Sequence, residues 1–278
     1  MPGLRLEGSV VAITGGGGAI GRETAIRFAC AGSRVAVGDL DGRAARQTAA
    51  LLPDARGFAV DVRDEDSIGA FFEEVEAEFG PLLVFVNNAG VMPLGPWLQE
   101  DGPLTHRIID VNLWGVLHGT RLAARAMVDR GQGHIVNVAS LMGRMHAAGA
   151  ASYAASKHAV VGFGGAFAEE LDGTGVTLTT VLPTAVRTPL ISGLKLGLIP
   201  PVIEPYEVAA AVLTSCRHRR AEVTVPRWLA RSPELERLLP GPVTVALRRR
   251  FGDAALHGVD HGARDTYERR AREAELVG

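Results

Sequence analysis

Between residues 9 and 225, short runs of β-branched and apolar residues alternate with longer stretches of helical periodicity. That alternation narrows the possible folds more than any other feature of the chain, because it is the pattern of a parallel sheet wrapped by helices. Strands are expected at Ser9–Thr14, Arg34–Gly38, Gly57–Val60, Leu82–Val86, His134–Ala139, Val176–Leu182 and Glu222–Val225. Helices are expected at Ile20–Ala31, Arg43–Leu51, Glu65–Phe79, Leu104–Asp129, Ser152–Leu171 and Tyr206–His218. Runs such as Val-Val-Ala-Ile and Leu-Leu-Val-Phe-Val are apolar on both faces, as a sheet covered on both sides requires. Right-handed crossovers then give an α/β fold: a doubly wound, parallel seven-stranded sheet with helices on both faces. Ligands belong beyond the C-terminal ends of its strands.

Composition fits one such domain. At 278 residues with 47% hydrophobic content, the chain can bury a large core. Its net charge of −2 gives no general attraction to nucleic acid. Cys30 and Cys216 lie far apart, with no CxxC pairing, and read as small buried apolar residues of a reduced compartment. No secretory h-region opens the chain and no 18-residue apolar run exists, so a cytoplasmic protein is expected.

The strand ends carry the chemistry. After the first comes Thr14-Gly15-Gly16-Gly17-Gly18-Ala19-Ile20-Gly21, opening a helix. Glycines there permit a tight turn and close approach of backbone to a pyrophosphate, while the helix N-terminus offers N–H groups and a positive dipole. Asp39 ends the second strand, eighteen residues past Gly21, near the place where an acid accepts from a ribose 2′-hydroxyl. Asp41 reads as a helix cap, which leaves Asp39 free. Neither Gly18 nor Leu40 is basic, so nothing obvious welcomes a 2′-phosphate; NAD is the expected cofactor. Asp61-Val62 follows the third strand, where a carboxylate can accept from an adenine amino group or act as an ordinary turn acid. Asn87-Asn88-Ala89-Gly90 ends the fourth, Ser140 follows the fifth, and Pro183–Thr188 ends the sixth.

Tyr153 and Lys157 lie four residues apart, thirteen residues after Ser140, and so share one helix face. A phenol titrates near pH ~10, and an adjacent cation lowers that value toward neutrality. Only Lys157 and Lys195 are lysine among 29 basic residues. A chain that writes nearly every cation as arginine keeps here a compact head that can relay a proton.

Together these residues resemble the short-chain dehydrogenase/reductase family in its single-domain branch, over about residues 6–228. The glycine-rich TGxxxGxG looks like Thr14–Gly21, NNAG matches Asn87–Gly90, and YxxxK matches Tyr153–Lys157. Two positions depart from the pattern: Ala19 replaces the middle glycine, and Thr184 replaces the glycine after Pro183. The resemblance implies a Rossmann-type fold and a catalytic set of Asn112, Ser140, Tyr153 and Lys157. Tyr153 is then the general acid/base, Ser140 orients the substrate oxygen, and Lys157 tunes the phenol and holds the nicotinamide ribose. Asn112 anchors a water in the proton path. The implied cofactor site comprises Gly15, Gly18, Ile20, Gly21, Asp39, Leu40, Asp61, Val62, Asn88, Ala89, Gly90, Tyr153, Lys157, Pro183, Val186 and Thr188.

The substrate side is less constrained. Met92, Ser140, Met142, Tyr153 and Thr184 are its expected contacts. The lining also includes Trp97 and Leu141, and 189–201 forms a mostly apolar, glycine-bearing lid. An apolar pocket favours a lipophilic secondary alcohol or ketone, steroid-like or otherwise bulky. A carbonyl reductase for smaller substrates and a non-catalytic NAD(H)-binding sensor are the alternatives. Residues 1–228 are read as the catalytic domain and 229–278 as a helical extension packed over the substrate-side rim. Leu235, Leu238 and Leu239 recur there at helical spacing. Attachment to a membrane surface through Arg248–Arg250 and Phe251 is the less favoured reading. His257, His261 and Asp260 lack a third convincing metal ligand, so no metal is expected. The small residues of Ser152–Leu171 allow close approach, and the resemblance implies pairing through the long helices, so a homodimer or homotetramer is expected.

Overall fold

A computed structural model describes residues 3–194, 201–232, 234, 240, 242–243 and 260–273. Seven parallel strands form one sheet in the order β3-β2-β1-β4-β5-β6-β7. They are β1 Val10–Thr14, β2 Arg34–Asp39, β3 Ala55–Ala59, β4 Leu82–Asn87, β5 Gly133–Val138, β6 Val176–Pro183 and β7 Glu222–Val225. The order reverses between β1 and β4. There the crossovers leave in opposite directions, and a crevice opens beyond the strand ends.

Eight helices accompany the sheet among the described residues: α1 Ala19–Cys30, α2 Gly42–Ala49, α3 Glu65–Phe79, α4 Gly102–Ile109, α5 Gly115–Asp129, α6 Ala151–Glu170, α7 Pro205–His218 and α8 His261–Glu273. Each face of the sheet buries its own apolar layer. One contains Val11, Ile13, Phe28, Val35 and Val212. The other contains Phe58, Phe71, Phe85, Met127 and Ile135. Both Val11 and Phe85 are fully buried, as strands apolar on both faces require.

Three details differ from the sequence reading. β3 starts two residues earlier than Gly57, because Ala55 and Arg56 already pair with Val35 and Ala36. The helix expected at Leu104–Asp129 is interrupted by a π-helical turn, Asp110–Trp114, between α4 and α5. Cys30 is exposed at the end of α1, while Cys216 is buried. Among the described residues no helix is long and apolar enough to cross a membrane. Lys195, Leu235, Leu238, Leu239, Arg248–Arg250, Phe251 and His257 lie outside the described residues, as does the side chain of His261.

Candidate active site

The crevice at the reversal point is a cleft of about 1390 Å³, running from the glycine turn to α8. That is larger than an ordinary single-ligand pocket of up to ~1,000 Å³, and suits a dinucleotide and a substrate side by side. At its nucleotide end, Gly15 adopts φ 65°, and a Cβ there would stand 2.8 Å from the Ala89 Cα. Glycine is therefore required both by conformation and by the closeness of β1 to the β4 end. Asn88 locks that junction: its Nδ2 donates to the Thr14 carbonyl at 3.0 Å and the Gly15 carbonyl at 3.1 Å. Gly18 caps α1 without a side chain. The first-turn N–H groups of the helix consequently face the cleft uncovered, a ready anion site. Ala19 fits at the helix start without disturbing the turn.

Asp39 stands beside this turn. Its carboxylate accepts from the Gly17 N–H at 2.9 Å and the Asp41 N–H at 3.0 Å. Burial pushes its pKa above the usual carboxylate range, and those N–H bonds pull the other way. Asp41 caps α2, accepting from Arg43 and Ala44. Asp61 is engaged by Arg63, whose Nε reaches Oδ1 at 2.9 Å and whose Nη2 reaches Oδ2 at 2.5 Å. Burial works to raise the Asp61 value, but the bonds from Arg63 outweigh it and hold the carboxyl below its ordinary range. Ile20, Leu40, Val62, Ala89, Gly90, Pro183, Val186 and Thr188 all line the same cleft.

The reacting end lies where β5, β6 and α6 meet. The exit of β5 presents Ser140, whose Oγ accepts from the Met142 N–H at 3.1 Å. α6 turns Tyr153 and Lys157 to the same space, with Nζ 5.8 Å from the centre of the Tyr153 ring. Lys157 Nζ also donates to the Val138 carbonyl at 3.2 Å, tying the helix to the end of β5. Burial pushes the Tyr153 phenol above its ordinary value, against a hydrogen bond with Ser140 that lowers it. Burial pushes the Lys157 ammonium down to about 8. The expected lowering of the phenol by Lys157 is thus not the dominant effect; desolvation is.

Asn112 behaves differently from the other three. It is fully buried in the π-helical turn and does not line the cleft. Its side chain exchanges two bonds with the Val91 backbone, at 2.8 and 2.9 Å, and donates to Ser156 Oγ at 3.2 Å. With the amide so committed, it braces the β4 exit against α6.

Met92, Leu94, Ala150 and Tyr153 form an apolar cluster, with Met142, Leu190, Ile191 and Leu194 packed against it. Thr184 lines this region with its hydroxyl buried and unpartnered. Trp97, expected in the lining, is instead exposed outside the cleft. α8 closes the far wall. Arg264 is fully buried and donates to the carbonyls of Met92, Leu190 and Ser192 at 2.7, 2.7 and 3.0 Å. Its Nε pairs with Glu268 at 3.0 Å. Tyr267 Oη accepts from the Met92 N–H at 2.7 Å. Gly193, at φ 72°, lets the start of α8 approach: the Asp260 N–H donates to its carbonyl at 2.9 Å. Sequence reasoning passed over Arg264 and Tyr267. Their one signal was a lone aromatic three residues after an arginine within an otherwise polar helix.

Comparisons with known proteins agree with this fold. The sequence pattern of short chain dehydrogenases matches residues 9–196. Over 189 residues the chain is 37% identical to the Mycobacterium tuberculosis protein named probable oxidoreductase EphD, covering 66% of this chain and 32% of that one. The chain thus spans about a third of that relative's length. Human estradiol 17-beta-dehydrogenase 11 is 32% identical over 253 residues, covering 88% of this chain and 84% of the relative. Momilactone A synthase of rice is 40% identical over 192 residues, covering 67% and 69%. A short chain dehydrogenase/reductase from Burkholderia phymatum, solved in complex with NAD, has a TM-score of 0.77 at 24% identity. It covers 84% of this chain and 94% of its own, and bears on the fold alone.

Proposed function

Because the chain belongs to the short-chain dehydrogenase family, we propose that it is an NAD(H)-dependent oxidoreductase. Its reaction interconverts a secondary alcohol and a ketone on a lipophilic, steroid-like or otherwise bulky substrate. The observation that carries this reading is the convergence of Ser140, Tyr153 and Lys157 at the mouth of an apolar pocket continuous with the glycine turn. The name of the estradiol dehydrogenase relative points to the same substrate class.

When bound, the nicotinamide supplies the hydride chemistry. The remaining work falls to side chains. Tyr153 Oη takes the proton of the alcohol in oxidation and returns it to the ketone in reduction. Ser140 Oγ hydrogen-bonds the substrate oxygen and fixes it within reach of the phenol. Burial favours the neutral phenol, so Tyr153 rests as the acid. Its role as base depends on Lys157, which at about 8 is still mostly protonated at neutral pH. Lys157 also holds the nicotinamide ribose, and Thr188 with the Val186 backbone holds the carboxamide. Because the Asn112 amide is committed to Val91 and Ser156, the group left to hold a water is its backbone carbonyl, which the π-helical turn can release from the helix ladder. Asp39 favours NAD over NADP.

The protein acts in the cytoplasm as a homodimer or homotetramer. Residues 1–228 supply the catalytic domain, and α8 supplies its substrate-side wall. Incubation with NAD+ and a panel of lipophilic secondary alcohols, followed by NADH absorbance, tests the reading. Turnover of at least one bulky member is expected. NADH binding with no turnover of any alcohol or of the matching ketones would instead make the chain a nucleotide-binding sensor.

A further inference from the structure

We propose that Tyr267 is a substrate-orienting residue. Its phenolic hydrogen is donated to a second oxygen function that the substrate carries near the reacting carbon, which selects hydroxyketones and diketones over simple monoketones. The inference rests on the cleft being the substrate site, as read above.

A phenol has one hydrogen to give and an oxygen that can accept. The acceptor side of Tyr267 is used, because the Met92 N–H points at it from 2.7 Å. Among the described residues nothing accepts its hydrogen. Tyr267 is half-buried and lines the cleft, so that hydrogen has the pocket to point into. The phenol stays protonated at every working pH: burial pushes it to about 12, opposed by the Met92 bond and by Arg264. Tyr153 lines the same cleft, and Met92, whose N–H holds Tyr267, packs with Tyr153 in one apolar cluster.

A second, independent group points the same way. Thr184 lines the cleft only 7% exposed, and its hydroxyl has no partner. A buried hydroxyl left unpaired is destabilising, and a ligand oxygen relieves it. An apolar pocket holding two uncommitted hydroxyl hydrogens beyond those of Ser140 and Tyr153 is built for more than one substrate oxygen. The position of Tyr267 is also fixed in advance. Arg264 anchors α8 to three backbone carbonyls on two loops and lies 5.1 Å from the Tyr267 ring. Sites whose polar groups are held in this way reject analogues that lack the matching atom.

The test uses the full chain and a bicyclic monoketone, with diketones carrying the second carbonyl two, three or four carbons along. Two quantities are read: kcat/KM with NADH, and calorimetric affinity with NAD+, with which a ketone forms an unreactive complex. Tyr267→Phe is expected to lower the diketone-to-monoketone ratio of both quantities by about 10- to 100-fold for the best diketone. Arg264→Met, which loosens α8 but keeps the phenol, is expected to weaken all ketones and to lower the ratio by less than Tyr267→Phe does. An unchanged ratio in Tyr267→Phe overturns the proposal, whether or not overall activity falls, because the phenol is then only a support for α8. A Tyr267-dependent affinity for diketones without turnover of any probe removes the proposed activity and leaves this site standing. Turnover of ketones with a ratio insensitive to Tyr267 does the reverse. No binding of any probe overturns both.

Discussion

At the scale of single residues, Tyr153 and Lys157 are held in opposition by the same burial. Desolvation keeps the phenol neutral and weakens the ammonium's hold on its proton. Replacing Tyr153 by Phe keeps the ring and removes the proton. We expect kcat to fall by at least ~100-fold with NADH affinity nearly intact; retention of a tenth of kcat would remove Tyr153 from its assigned role. Lys157 gives a pH signature in the cofactor-free protein. Its folded value of about 8 lies below the ordinary 10.5. Between those values the unfolded chain binds a proton that the folded chain lacks, so this contribution to stability rises with pH across that window and is flat below it. Urea unfolding should therefore show wild type gaining on Lys157→Met from pH ~8 to ~10, and a constant gap contradicts the assignment. Asp39, braced by Gly17 and Asp41, makes a like-charge encounter with a 2′-phosphate. A penalty of about 3 kcal/mol is roughly a hundredfold in affinity, measurable by titrating both reduced cofactors. Most of these residues were legible in the sequence because spacing alone places them at strand ends or on one helix face. The committed amide of Asn112, the exposure of Cys30 and the bond between Met92 and Tyr267 were not, since each depends on parts of the fold distant in the chain.

Elements show the same division. Strand positions could be read because a buried parallel strand is apolar on both faces, and that pattern survives any packing. The π-helical turn at Asp110–Trp114 could not, because one extra residue in a turn leaves the apolar periodicity of the flanking helices almost undisturbed. α6 had glycines legible as a group but not by face. Gly164 points at the sheet, where a Cβ would meet Thr180 Oγ1 at 2.2 Å, whereas Gly162, Gly165 and Ala166 are exposed. The stacked rings of Phe163 and Phe167, 5.5 Å apart, flank this flat surface. Trp114, 45% exposed, ends the π-helical turn that leads into α5. We expect this face to pair with its copy. Ala166→Glu should dissociate the assembly in light scattering while leaving the fold intact by circular dichroism. A wild-type monomer at micromolar concentration refutes the pairing.

For the whole molecule, the sheet and its reversal point position both halves of the cleft, and α8 completes one of them. Arg264→Met leaves three carbonyls without their donor, the Met92 carbonyl buried and those of Leu190 and Ser192 half-buried. Loss of a buried charged partner of this kind costs about 3–5 kcal/mol when it unfolds with the rest of the domain. Because α8 is held mainly through Arg264 and Tyr267, we expect a low-temperature loosening of α8 in this variant, seen as early amide exchange, ahead of the main unfolding transition. Coincident transitions would show that α8 is part of the domain core. The sequence indicated a rim-packing tail but placed its apolar contacts at Leu235, Leu238 and Leu239, outside the described residues. It left the polar helix unread because a buried arginine is invisible to hydrophobic periodicity. The bonds from Arg264 and Tyr267 to Met92 join residues 172 and 175 apart in sequence. Contacts of such separation form late, since the intervening chain must be ordered before they reward closure. A ribosome also releases residues 260–273 after every strand of the sheet. On the proposed function, the nascent protein therefore passes through an interval in which it can hold a nucleotide but has no finished wall to choose what that nucleotide reacts with.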